Sequence, residues 1–293
     1  MNVDLLLMYQ GKTWKILLPT KRIDAYTAGD LKLVRGTDNQ YNADFKERLE
    51  KAKSEAAELA KKEQRDLRDG KLAGLRYTRE TETGAEVGLM QMGYVAFEAM
   101  NLMARKGENI PNEYRENIGV MSTVRTADNK SLHSTRSPAT ATWGGYDSLF
   151  GRGLTGEDGD VDKLVEKGTG HLFSVIARQV ALELGIEENE IDKLYLKGIA
   201  EGFTYRDHTF AFHAALKTES EKIVGKDGVQ TKPKTPGKYQ KIFRIDASGE
   251  EMAKYLAENR IIDVAIAQIV LTGSGIFGEE WVNRLVENGI VDK

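Results

Sequence analysis

The chain has 293 residues, of which 40% are hydrophobic, enough to bury the core of one large domain or of two smaller ones. Its 42 basic and 45 acidic side chains leave a net charge of -3, so no overall positive field attracts nucleic acid or an anionic membrane. Cysteine is absent, which excludes disulfides, thiolate zinc sites and cysteine nucleophiles. Oxygen ligands and four histidines remain for any site chemistry.

The N-terminal segment DLLLMYQGKTWKILLPT predicts a pair of strands. Two short apolar runs flank Gln10, Gly11 and Lys12, a pattern typical of a β-hairpin at a sheet edge. The segment lacks a basic start, and its apolar run stops at Gln10, unlike a signal peptide or a membrane span. We therefore expect a cytoplasmic protein without a membrane partner.

Residues 42–67 carry the clearest helical pattern of the chain. Apolar side chains recur there at steps of four and three, with charged residues on the other face: Phe45, Leu49, Ala52, Ala56 and Leu59. A coiled-coil surface would also show such a stripe, but its alanine content and its short length favour packing on the helix's own domain.

A second helix is predicted over residues 89–107, closed by Gly107, with four methionines near its aromatic residues. Proline and polar residues near position 111 then interrupt the pattern. The sequence thus predicts two units, an α+β N-terminal extension over residues 1–110 and a second domain over residues 111–293.

The second unit begins with a predicted hairpin over residues 118–138, with its turn at residues 127–130. A segment with six glycines between Gly144 and Gly159 follows and indicates tight backbone geometry or close approach to a ligand. The predicted order then continues with an amphipathic helix that begins near His171 and with two strands. It ends with a basic loop over residues 222–241 and two further helices. Ser248 is predicted to cap the first of these helices.

This order of elements, together with two motifs, resembles the Nudix superfamily. The stretch VRTADNKSLHSTRSP is similar to the opening hairpin of that domain, and ARQVALELGI is similar to the core of the Nudix box. Five positions match the box: Arg178, Val180, Glu183, Gly185 and Ile186. The resemblance implies an α/β/α sandwich with a mixed β-sheet, preceded here by the α+β extension.

The acidic positions of the box depart from the family pattern. Gln179, Leu182 and Gly170 stand where the family has glutamates. Positions 179, 182 and 183 share one helix face, and one carboxylate beside a neutral amide is a poor site for Mg²⁺, which prefers anionic oxygen ligands. We name Glu183 as the candidate catalytic residue, Glu183 and Gln179 as candidate metal ligands, and Mg²⁺ as the cofactor if the chain is a hydrolase.

The resemblance also implies a pocket for a nucleoside-diphosphate-type ligand. The candidate contacts combine cationic groups for phosphates with aromatic residues for stacking on a base: Arg125, Arg136, Arg152, Arg178, Trp143, Tyr146 and Phe150. Arg178 is also expected to pair with Glu183, and Leu182 to form an apolar wall of the site. The basic loop over residues 222–241 is either a flap that closes on an anion or a solvated excursion.

Three functions follow from these patterns. The first is a protein with a degenerate metal site that binds a small phosphate-containing ligand in a regulatory or non-hydrolytic role. The second is a divergent, metal-dependent Nudix pyrophosphohydrolase with non-standard metal ligands. The third is a scaffold protein with a vestigial pocket. A nucleic acid partner is not expected, and a homo-oligomer stays open.

Overall fold

The computed structural model of the chain describes residues 6–9, 12–19, 29–62, 70–82, 84–111, 114, 117–140, 144–202, 208–235 and 237–291. The strands are β1 (Leu6–Tyr9), β2 (Lys12–Pro19), β3 (Leu31–Arg35), β4 (Lys71–Glu80), β5 (Ala85–Gly93), β6 (Ile118–Arg125), β7 (Lys130–Arg136), β8 (Asp147–Ser148), β9 (Phe150–Gly153), β10 (Ile191–Glu201), β11 (His208–Leu216), β12 (Val229–Gln230) and β13 (Tyr239–Asp246). The helices are α1 (Ala43–Lys62), α2 (Tyr94–Arg105), α3 (Val161–Lys167), α4 (Thr169–Leu184), α5 (Ser220–Val224), α6 (Gly249–Glu258), α7 (Asp263–Phe277) and α8 (Glu279–Glu287).

A ten-stranded mixed sheet forms the centre of the fold. Its order is β1-β2-β10-β11-β6-β7-β13-β12, with β9 also paired to β6 and β8 also paired to β7. Strands β11 and β6 are parallel, and the other pairs in this sheet are antiparallel. A second sheet has the order β3-β5-β4.

Two hydrophobic layers cover the large sheet. On one face, α3, α4 and the inner side of the small sheet bury a core that includes Phe212, Ile176 and Val87. On the other face, α6, α7 and α8 bury a second core around Leu256 and Trp281. Helices α1 and α2 pack on the outer side of the small sheet. The predicted α/β/α sandwich around a mixed sheet is confirmed.

Several local predictions are also confirmed. Strands β6 and β7 form the predicted hairpin, in which Val124 pairs with Leu132. Helix α1 buries the predicted stripe except Leu59, which is half-buried, and Ala60 lies in the core instead. Ser248 caps α6 by accepting a hydrogen bond from the N–H of Glu251.

Among the helices in the described ranges, none has both the length and the apolar composition that a membrane span requires.

Two local predictions are wrong, and one helix was not predicted. The second helix begins at Tyr94 because residues 85–93 pair with β4 as strand β5, so Met90 and Met92 lie on a strand. Residues 222–241 are not one loop, since they include the end of α5, β12 and the start of β13. Helix α7 has no predicted counterpart because it is buried on nearly all sides and shows no polar face.

The division at residue 110 stays a prediction. Strands β1 and β2 pair with each other, as the sequence indicates, and β2 then joins the large sheet through β10. The inner side of the small sheet shares one hydrophobic core with α4. Elements from both sides of residue 110 thus meet in one sheet and one core.

Candidate functional site

Helix α4 places a single carboxylate inside the protein. Its apolar residues, among them Leu172, Ile176 and Val180, face the core, and Glu183 projects from the same side. The helix ends at Gly185, which has the left-handed backbone with φ 70° that glycine adopts without strain. The sequence predicted that the helix ends at this glycine. The Glu183 side chain, one turn or less before that end, is 0% exposed.

Four groups donate hydrogen bonds to the Glu183 carboxylate. The N–H of Gly151 and the O–H of Tyr239 reach Oε2 at 3.1 and 2.9 Å. The Gln179 amide and the Lys238 ammonium both donate to Oε1. A carboxylate offers about four lone-pair positions, so these four donors use its capacity to accept.

The position of Gly151 follows from a split in the large sheet. Strands β6 and β7 pair only near their shared turn, at Val124 and Arg125, and β9 then pairs with β6 farther along. A Cβ atom on Gly151 would lie 2.2 Å from the carbonyl oxygen of Val120, so only glycine permits this approach. The close approach brings the Gly151 N–H to Glu183.

Lys238 lies immediately before β13 and links β9 to the end of α4. Its ammonium donates to the carbonyl of Gly151 as well as to Glu183. Burial lowers the pKa of Lys238, the Glu183 carboxylate opposes that shift, and the nearby charges of Arg136 and Arg152 add to it. The side chain keeps 27% of its exposure, so this position is open to solvent on one side.

Asp158 forms a second polar group beside the first. Its carboxylate binds Arg152 Nη2 at 2.8 Å and His171 Nε2 at 3.0 Å. Arg178 Nη2 lies 3.6 Å from the same carboxylate. Arg178 therefore pairs with Asp158, and the predicted pairing of Arg178 with Glu183 is wrong.

The structure brings most of the candidate residues together on the α4 side of the sheet: Arg136, Arg152, Arg178, Gln179 and Glu183. Leu182 is 61% exposed, so it forms no wall of this site.

The remaining candidates lie elsewhere. Arg125 lies on the opposite face, where it lines a small cavity against α7 with Thr123 and His213. Phe150 is fully buried in the core, and Tyr146 packs against the core under α6 and α7, so neither offers a face to a base here. Trp143 lies outside the described residues.

Sequence reasoning missed Lys238, Tyr239 and Asp158. The only signal for Lys238 was its place among the lysines of the predicted basic loop. It lies 55 residues from Glu183 in the chain, and no local period connects the two positions.

The donor set around Glu183 does not fit a divalent cation. Within the described ranges, no group of three or more His, Asp or Glu side chains could hold a metal ion. Glu183 already accepts four hydrogen bonds, and one of its partners is an ammonium whose charge opposes a second cation. The roles assigned to Glu183 and Gln179 as metal ligands stay predictions.

No family model and no curated protein sequence matches the chain. Among solved structures, the chain is similar to the DR0079 protein of Deinococcus radiodurans, with 12% identity and a TM-score of 0.34 over 52% of this chain and 81% of that one. It is similar to a MutT protein of Methanosarcina mazei, with 14% identity and a TM-score of 0.32 over 57% and 93% of the two chains. It is also similar to a MutT/nudix family protein of Enterococcus faecalis, with 12% identity and a TM-score of 0.30 over 64% and 69%. These likenesses concern the fold alone.

Proposed function

We propose that this protein binds a small phosphate-containing ligand of the nucleoside-diphosphate type at the α4 side of the sheet, in a non-hydrolytic or regulatory role. The observation that carries the proposal is the grouping of Arg136, Arg152 and Lys238 around a carboxylate that already accepts four hydrogen bonds. Guanidinium and ammonium groups are the usual protein partners of phosphate oxygens.

The local charge balance supports an anionic ligand. Arg136, Arg152, Arg178 and Lys238 contribute four cationic groups, against the two carboxylates of Glu183 and Asp158. The Nε atom of Arg152 is buried and has no hydrogen-bond partner in the described part of the chain. A buried donor without an acceptor is costly, and a ligand oxygen would satisfy it.

The non-hydrolytic part of the proposal comes from Glu183. A general base or a metal ligand needs a free lone pair on its carboxylate, and each oxygen of Glu183 accepts two hydrogen bonds. Glu183 therefore positions Lys238, Gly151 and Tyr239, and the cations contact the ligand.

Isothermal titration with ADP, with adenosine as the phosphate-free control, tests this proposal. We expect ADP binding that weakens as salt is raised and that is unaffected by a chelator. Arg152→Gln should weaken it about tenfold or more, because a hydrogen bond to a charged group contributes about 1.5–3 kcal/mol. The matched control is Arg125→Gln, which removes an arginine from the opposite face of the sheet and should leave the affinity unchanged.

Results of two kinds would contradict the proposal. One is equal binding of ADP and adenosine, or equal loss of affinity in the two arginine variants. The other is Mg²⁺-dependent release of phosphate or of a nucleoside monophosphate that Glu183→Gln abolishes, which would establish a metal-dependent hydrolase instead.

A further inference from the structure

A polar cavity of about 220 Å³ lies on the side of the small sheet that α1 and α2 cover, whereas α4 and Glu183 belong to the other side. Its walls come from α1, from the first turn of α2, from the end of β5 and from the segment that follows β3. Pockets for drug-sized ligands hold about 300–1,000 Å³, so this cavity suits a smaller molecule.

The Asp38 carboxylate is held at the edge of this cavity by three hydrogen bonds. The N–H of Gln91 donates to Oδ1 at 2.8 Å, just beyond the end of β3. The Arg35 guanidinium binds the two carboxylate oxygens at 2.6 and 2.8 Å, and it holds the pKa of Asp38 below its usual value. Since Oδ2 accepts only one of these bonds, it has room for a further donor.

Asn39 presents an acceptor to the same cavity. Its Nδ2 donates to the carbonyl of Tyr114 at 3.4 Å, whereas its Oδ1 is buried and has no hydrogen-bond partner among the described residues. A buried acceptor without a donor is costly, and a ligand that donates a hydrogen bond would satisfy it.

Two other groups of the cavity can donate. Burial raises the pKa of Tyr41, against smaller opposing effects of Asn39 and Lys53, so the hydroxyl keeps its proton. The Lys53 ammonium binds the Glu50 carboxylate at 2.7 Å, which uses one of its three N–H groups. The cavity therefore combines acceptors with donors, as a ligand rich in hydroxyl groups requires.

The charges around the cavity are already balanced. Arg35 pairs with Asp38, and Glu50 pairs with Lys53. An anionic ligand would meet the Asp38 carboxylate, and a cationic ligand would meet Arg35 and Lys53. A neutral polar ligand meets neither repulsion.

We propose that this cavity binds a neutral, polyhydroxylated molecule of the size of a monosaccharide, which donates hydrogen bonds to Asp38 and Asn39 and accepts one from Lys53. Its C–H groups pack on Tyr41 and Met92, which line the same cavity. This site is separate from the proposed phosphate site. Its experiment contains no ADP, so the two proposals can fail independently.

The experiment is a ligand-observed NMR titration with D-glucose, D-galactose, D-mannose and D-xylose, each added alone to the full chain. We expect at least one sugar to bind with a Kd on the order of 1 mM or tighter. Its affinity should not change with salt, because the ligand carries no charge. Cyclohexanol, which keeps a six-membered ring but only one hydroxyl, should show no saturable binding.

Asn39→Leu removes the unsatisfied acceptor while nearly keeping the side-chain size. It should weaken sugar binding about threefold or more, the worth of one hydrogen bond. Its matched control is Asn189→Leu, at an exposed position far along the chain, which should bind as the wild type does. Circular dichroism and thermal melting establish that each variant is folded.

Lys53→Met provides a second test if Asn39→Leu does not fold. It removes a donor from the cavity and should also weaken sugar binding, whereas Lys61→Met, at an exposed position of the same helix, should not. The inference is wrong if none of the four sugars shows saturable binding or if cyclohexanol binds as tightly as they do. Equal sugar affinity in the folded cavity variants and their controls would likewise overturn it, because the sugar would then bind elsewhere.

Discussion

Lys238 and Glu183, 55 residues apart in the chain, form an ion pair in which the carboxylate is fully buried and the ammonium side chain is 27% exposed. The Glu183 carboxylate also accepts from the backbone of Gly151 and from Tyr239. One acidic side chain therefore joins α4, β9 and the start of β13. Residues of the predicted site thus hold three elements together.

Removal of the Glu183 carboxylate should destabilise the protein strongly. Glu183→Ala would remove the charged acceptor of the Lys238 ammonium and the acceptor of the Gly151 N–H, leaving the ammonium only the Gly151 carbonyl and the Tyr239 O–H only the Leu149 carbonyl among the described residues. Loss of one partner of a buried pair costs about 3–5 kcal/mol. Urea denaturation at neutral pH measures this change. The control is Glu166→Gln, on the exposed side of α3, which should change stability by less than about 0.5 kcal/mol. Similar stabilities for the two variants would contradict a stabilising role for Glu183.

Local patterns in the sequence predicted the parts of the site that depend on one element. The apolar spacing of α4 and the glycine at its end placed Glu183 correctly at the end of a helix that packs on the core. The turn residues between β6 and β7 located the hairpin that carries Arg136. Such features depend on neighbours within a few positions, so one sequence is enough to find them.

The partners of Glu183 could not be predicted in the same way. Gly151 lies on β9 and Lys238 immediately before β13, and the approach of Gly151 to α4 depends on the split between β6 and β7. Successive side chains of β6 point to opposite faces of the sheet, so Arg125 and Val124 lie on different faces. This alternation does not predict which of the two faces α4 covers. Contacts that depend on the packing of whole elements have no local signature.

Gly151 should not tolerate a larger side chain. A Cβ atom there would lie 2.2 Å from the Val120 carbonyl oxygen, and neither backbone can move without breaking the pairing of β9 with β6. We expect Gly151→Ala to lower the free energy of unfolding by about 1–3 kcal/mol, as overpacking usually does.

Gly170→Ala is the control for that variant. Gly170 lies in the first turn of α4, and an added Cβ meets no atom within 4 Å. Alanine there should be neutral or should stabilise the protein by about 0.4–1 kcal/mol. Chemical denaturation of both variants gives the comparison, and equal effects would show that the close approach at Gly151 does not constrain the fold.

Stability should fall in mild acid because of His213. Burial, with smaller contributions from the charges of Lys197 and Arg125, lowers the pKa of His213 from 6.5 to about 4 in the folded protein. The folded state therefore keeps a neutral imidazole where the unfolded chain becomes protonated. The stability that depends on this neutral form is complete above pH 6.5, and it is lost progressively as the pH falls towards 4.

His213→Gln tests this acid dependence. The imidazole Nδ1 lies 2.9 Å from Thr123 Oγ1, so the variant loses that contact at every pH. Above pH 7, the decrease in the free energy of unfolding caused by the substitution therefore measures the loss of this hydrogen bond alone, about 1 kcal/mol. Between pH 6.5 and 4 the wild type should lose roughly 3 kcal/mol more than the variant, as the shift of the pKa to about 4 requires. Urea denaturation at a series of pH values measures both curves, and parallel curves over this range would show that His213 is protonated as readily in the folded chain as in the unfolded one.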